Sequence, residues 1–166
     1  MVKPFLVPLL IGLFGCAISF AEEEYPGAPA SVVAAYIEAD GEGLALDGET
    51  ADAVLKYTAW KETPGWDSYT VIKSYDIGEV GHTGNKASVQ ITYHVVGQVS
   101  GPEFTPQTDK EEVTFELEKK NGKWRITDPQ NGPHLTIEGA IETIESGSVK
   151  DDPLGKAALK KLRALK

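Results

Sequence analysis

The chain is nearly without cysteine: Cys16 stands alone near the N-terminus, inside a segment that reads as removable. If that segment is cut away after Ala21, disulfides, thiol chemistry and thiolate zinc sites go with it. Imidazoles are scarce too. His82, His94 and His134 are the whole supply, with no H-x-x-x-H or H-E-x-x-H spacing among them, so no dedicated transition-metal site is expected. Each of the three reads as structural or solvent-facing, His94 on the polar side of a strand, His82 in a turn and His134 at the mouth of a helix. No G-x-S-x-G is present. Neither the P-loop spacing nor a G-x-G-x-x-G after a strand occurs, so nucleotide cofactors have no support and no cofactor is expected. Basic charge is thin over most of the chain, residues 22–149 holding 9 basic against 23 acidic side chains. An acidic body repels phosphate backbones, which sets nucleic acid aside as a partner.

What is present begins with an export signal. Lys3 is followed by an apolar run from Phe5 to Phe14, then small residues to Ser19-Phe20-Ala21, the three-part order of a secretory signal peptide over residues 1–21. Pro8 and Gly12 break the run, which is short of the ~20 residues that span a bilayer. Export to the periplasm or medium is the expectation. The alternative is a lipoprotein, because Leu13-Phe14-Gly15-Cys16 looks like the lipobox at which bacterial lipoproteins are cut and acylated on cysteine. Residues 22–30, with Glu22-Glu23-Glu24 and then Pro26, Gly27 and Pro29, read as a flexible leader.

Helical spacing of Val33, Tyr36, Ile37 and Leu44, with Asp40 on the same side, predicts a first helix capped by Ser31 and reaching about Leu46. A shorter helix capped by Thr50 follows, and Pro64-Gly65-Trp66-Asp67 turns the chain toward strands. Residues Tyr69 to Ile77 alternate, Gly81 to Asn85 form a turn, and Ala87 to Val99 alternate most clearly. A Gly- and Pro-rich loop leads to a third strand around Val113, Phe115 and Leu117. Asn121-Gly122 is a hairpin signal, and Trp124 and Ile126 lie on the return strand. Thr136 caps a helix carrying Ile137, Ala140, Ile141 and Ile144. The tail, residues 147–166, predicts a basic amphipathic helix capped by Asp152 with Leu154, Ala158, Leu162 and Leu165 on one side. Such a helix fits anionic lipid or an acidic partner, including the domain itself. Strands grouped apart from helices argue an α+β fold, a curved antiparallel sheet of about four strands wrapped around an N-terminal helix, with a short C-terminal helix.

These marks, the helix Ser31 to Tyr36, the Pro64-Gly65-Trp66-Asp67 turn, the long strand to Val99 and the hairpin Asn121 to Ile126, resemble the nuclear transport factor 2-like superfamily over residues 31–146. The resemblance implies a cone, often dimeric through its sheet, in a superfamily of isomerases, cyclases, dehydratases and non-catalytic modules. It carries no catalytic residue onto this chain. The candidate ligand pocket inside the cone is Tyr36, Asp40, Trp60, Trp66, Tyr93 and Trp124, where a carboxylate among rings would have a raised pKa. The expectation is an exported non-catalytic domain, binding a small ligand or protein partner and forming a homodimer. The alternative is a small lyase- or isomerase-type enzyme using a buried carboxylate and tyrosine. Membrane contact requires either a lipidated Cys16 or a lipid-binding tail.

Overall fold

The computed structural model describes residues 25–166; the signal segment, Cys16 and Glu22 to Glu24 lie outside the described residues. The fold is α+β: α1 (Pro29–Gly41), a 3-10 turn at Leu44–Leu46, α2 (Asp52–Leu55), β1 (Ser68–Thr83), β2 (Lys86–Ser100), β3 (Glu103–Lys120), β4 (Lys123–Asp128), β5 (His134–Thr136), α3 (Ile137–Ser146) and α4 (Pro153–Arg163). The strands form one sheet in the order β4-β3-β2-β1-β5.

The alternation of β2 is the surest link from sequence to packing. Ala87, Val89, Ile91, Tyr93, Val95 and Val99 are all buried, and β2 pairs with β1 on one side and β3 on the other. Asn121 and Gly122 both take positive φ, 52° and 82°, the backbone of a two-residue hairpin turn whose twist matches its strands. The sheet curls strongly. His82 on β1 meets the Trp124 ring on β4 at 5.2 Å between centroids, although two strands separate them. Flat strands about 4.8 Å apart would hold β1 and β4 roughly three spacings from one another.

Several expectations are corrected. The first helix starts at Pro29, so Ser31 lies inside it and does not cap it. It ends at Gly41 and not near Leu46, because Gly43 turns left-handed at φ 80° before the 3-10 turn. Thr50 does not cap α2; its hydroxyl donates to the Leu44 carbonyl at 2.9 Å. β1 runs on to Thr83, with register shifts at Val71/Ile72 and beyond, and Ile77, although paired with the buried Ile91, is exposed. The expected loop near residue 101 shrinks to a tight turn, since β3 begins at Glu103. A fifth strand, β5, pairs in parallel with β1 through Thr70, Val71 and Ile72, which makes the sheet mixed.

Two apolar clusters fill the molecule. In one, Val32, Val33, Tyr36 and Ile37 of α1 lie against Val89, Ile91, Phe115 and Ile126 on the sheet. In the other, Val71, Phe104, Leu135 and Ile144 pack with Ala158, Leu159 and Leu162 of α4. The tail helix is therefore docked. Asp152 caps it and Pro153 opens it as expected, but the buried stripe is Gly155, Ala158, Leu159 and Leu162, while Leu154 and Leu165 face outward. Lys161 donates from Nζ to the Phe104 carbonyl at 3.1 Å, and Lys166 lies 3.2 Å from Glu138. Of the expected apolar side, Ala158 and Leu162 are spent on the domain's own core. Leu162→Ala should accordingly lower the stability of the whole domain by about 2–5 kcal/mol, read by urea unfolding as a single shifted transition. An unchanged midpoint would mean a tail that is not part of the core.

Candidate functional site

Asp40 sits in the last turn of α1, one helical turn beyond Tyr36, and is 2 % exposed. A buried carboxylate needs donors. Its Oδ2 accepts the backbone N–H of His134 at 2.8 Å, whereas Oδ1 has no hydrogen-bond partner among the described residues. Neighbouring contacts fix this junction. Thr136 donates from Oγ1 to the Gly41 carbonyl at 3.1 Å and accepts from the Gly139 N–H at 3.0 Å, capping α3 in the same place. Gly139 is glycine because a Cβ there would collide with the Gly41 carbonyl.

The His134 ring stacks on Tyr93, with centroids 4.1 Å apart and planes 9° from parallel. Its Nε2 lies 3.3 Å from Glu111 Oε2, and Glu111 faces Tyr93 across the β2–β3 ladder. Burial pushes Asp40 up to about 7, with the His134 N–H pulling the other way. Burial, reinforced by Asp40, raises both the Tyr36 and Tyr93 phenols. His134 is held below the usual imidazole range by burial, against the pull of Glu111.

Of the six pocket residues expected from sequence, Tyr36, Asp40 and Tyr93 come together, and Trp60 meets Tyr36 edge-on at 5.9 Å. Trp60 also donates from Nε1 to the Thr127 carbonyl at 3.0 Å. Trp124 belongs to the far end of the sheet, beside His82 and Tyr25. Trp66, half-buried, lies along Gly132 in the loop before β5. The cluster is packed: Tyr36 is 4 % and Tyr93 0 % exposed. Sequence reasoning missed His134 as a member. Pro133 before it and Thr136 after it suggested a helix mouth, and a three-residue strand offers too few positions for an alternating pattern. His94 is partly exposed and pairs with Asp76 at 2.7 Å. Among the described residues no three His, Cys, Asp or Glu side chains converge as a metal site, and no helix is long and apolar enough to cross a membrane.

Two surface grooves lie near these elements. One, of about 260 Å³, is lined by Thr70, Gln98, Gln107 and Glu111, so Glu111 links it to the buried imidazole. The other, of about 300 Å³, is walled by Tyr25 and Tyr57 and rimmed by Lys56, Lys123 and Arg125.

Asp40 binds a proton in the folded state well above the pH at which an unfolded aspartate releases it, so its contribution to stability falls between about pH 4 and about pH 7. His134, buried and depressed, contributes the opposite slope on the acid side. Asp40→Asn isolates the first. Relative to the parent, its unfolding free energy should rise steadily from about pH 4 to about pH 8, by a few kcal/mol, in urea titrations. A pH-independent difference would contradict a buried, proton-holding Asp40.

Comparison with known proteins gives a family. The model of the lipoprotein LpqB N-terminal domain matches residues 26–138, from just before α1 to the first turn of α3. No curated protein matches the chain. Among solved structures, a de novo designed protein with a curved β-sheet aligns over 84 % of this chain and 99 % of its own, at 12 % identity and a TM-score of 0.30, too low to carry an argument. Membership in a lipoprotein family makes the protein an exported one, held at a membrane or in the periplasm. With more than half of its length matched by that model, the chain belongs to the lipoprotein LpqB N-terminal domain family.

Proposed function

We propose that this chain is a lipid-tethered, non-catalytic binding domain that works through its outer surface. The observation that carries the reading is the filled interior: Tyr36, Asp40 and Tyr93 are 4 %, 2 % and 0 % exposed, leaving no room for a substrate beside the carboxylate. The lipoprotein family supports the tether, and Cys16 in Leu13-Phe14-Gly15-Cys16 is the acceptor it requires. Partners then meet the far half of β1, where Ile77 and Val80, on the same face as Ile91 and Val89 but beyond the helices that cover them, are exposed to 43 % and 49 %. A second copy of the chain docking there is the dimeric form of this reading.

An enzyme is the second reading, and one observation favours it. Asp40, Tyr93 and His134 form a contiguous buried set beside the partly exposed Glu111, with the Asp40 Oδ1 and Tyr93 hydroxyl lacking hydrogen bonds among the described residues. A tyrosine and carboxylate inside a cone is the arrangement that the nuclear transport factor 2-like isomerases use, and the helix α1 laid over the curled sheet supports that likeness. Proton abstraction by Asp40 would require the packing over it to open.

The tether is tested on protein extracted from its native membrane. Intact mass should show a processed chain starting at an acylated Cys16, and Cys16→Ser should move the protein into the soluble fraction. A soluble native chain beginning at Glu22 would contradict the tether. Turnover of an isomerase- or lyase-type substrate that Asp40→Asn abolishes, with the fold intact, would replace the binding reading by the enzymatic one.

A further inference from the structure

The groove at Tyr25 and Tyr57 gathers positive charge on a body that is otherwise acidic. Three of the 9 basic side chains in residues 22–149 rim it. Lys56 and Lys123 are far apart in sequence and meet because residues 57–59 zip onto β4: the Ile126 N–H donates to the Tyr57 carbonyl at 2.9 Å, and the Ala59 N–H to the Ile126 carbonyl at 2.8 Å. Arg125 then donates to the carbonyls of Lys56 and Thr58, which fixes the rim. The floor and walls are aromatic. The Tyr25 and Tyr57 rings lie 6.0 Å apart, Lys123 stands 4.9 Å over Tyr25, Arg125 5.6 Å over the same ring, and Lys56 4.9 Å over Tyr57. Among the described residues none of the three cations is in a salt bridge.

We infer that this groove seats the phosphate headgroup of an anionic lipid, in the membrane to which Cys16 tethers the chain; the inference rests on that tethered reading. The position of the groove argues for it. Tyr25 is nine residues from Cys16, a span of at most about 30 Å of extended chain, so the domain cannot carry this face far from the bilayer. Lysines supply point charges for phosphate, and amphipathic tyrosines sit well at the headgroup level. Tethering raises the local concentration of headgroups, so a weak site suffices. Apart from the basic helix α4, the rest of the domain is acidic and is repelled by an anionic surface, and of its cationic faces the groove is the one next to the tether in the chain. The outcome is orientation: the groove faces the membrane, and surfaces remote from it are left to meet a partner. Glu22, Glu23 and Glu24 lie on the tether itself and are the competing anions.

The test uses the processed chain from residue 16 carrying Cys16→Ser, so that no acyl group contributes, sedimented with vesicles of phosphatidylcholine alone or of three parts phosphatidylcholine to one part phosphatidylglycerol. Retention is expected on the second only. Lys56→Gln with Lys123→Gln should weaken it about thirty-fold, at roughly five-fold per lysine near a charged surface, while Lys156→Gln with Lys160→Gln on α4 should leave it unchanged. Equal retention on both vesicles, no retention of the parent chain, or an equal loss from the α4 pair would overturn the inference. Retention that appears only after Glu22, Glu23 and Glu24 are changed to Gln would overturn it too, making the chain's own leader the occupant. Acylation of Cys16 is read separately by mass, so a missing tether and a missing headgroup site are told apart.

Discussion

The hydrogen bond from the His134 N–H to Asp40 joins the two halves of this molecule. β5 is an edge strand only three residues long, and its pairing with β1 leaves the His134 N–H facing the end of α1. An orphaned buried amide would cost about as much as a lost hydrogen bond, and a neutral acceptor at this place would serve it. The chain uses a carboxylate instead, at a position where burial pushes its pKa up to about 7. The same residues connect the two apolar clusters. Asp40 and Gly41 end the helix that fills one cluster, while Thr136 and Gly139 begin the helix that organises the other.

That junction decides what kind of protein the architecture supports. Folds of this layout can keep an open mouth between helix and sheet, and such a mouth is where a ligand would enter. Here Tyr93, His134 and Asp40 stack and bond across it, so the space is occupied by the chain's own rings. Ligand chemistry moves to the outside. On the N-terminal side the edge of β4 is covered by residues 57–59, and that cover builds the one groove whose rim is cationic and whose walls are aromatic among those described. In the second cluster α4 buries Leu159 and Leu162 and closes it. A body of strongly acidic composition with a cationic face near its tether is a charge arrangement that sets orientation more than affinity.

How much of this was legible from the sequence depended on the length of each pattern. The alternation from Ala87 to Val99, the Asn121-Gly122 turn and the caps Thr136 and Asp152 each rest on local rules, and all four appear where expected. β5 did not, because three residues carry no period. The early part of β3 escaped for a different reason: residues 105–110 are exposed on both faces, so no alternation marks them. The tail helix was recognised but rotated, since Leu154 and Leu165 look like core until the docking site selects Gly155, Ala158 and Leu159. In the candidate site, Tyr36 and Asp40 were readable from helical spacing. His134 and the Lys56–Lys123 pair were not, because they are brought together by long-range strand pairing.

The most direct measurement of a closed interior is native-state hydrogen exchange at the His134 amide. If Asp40 holds that N–H inside a packed junction, the amide should exchange only through global unfolding, with the same opening free energy as amides at the centre of β2. Exchange of His134 well ahead of β2, in a folded protein, would mean that the junction opens on its own, and that the buried carboxylate is reachable after all.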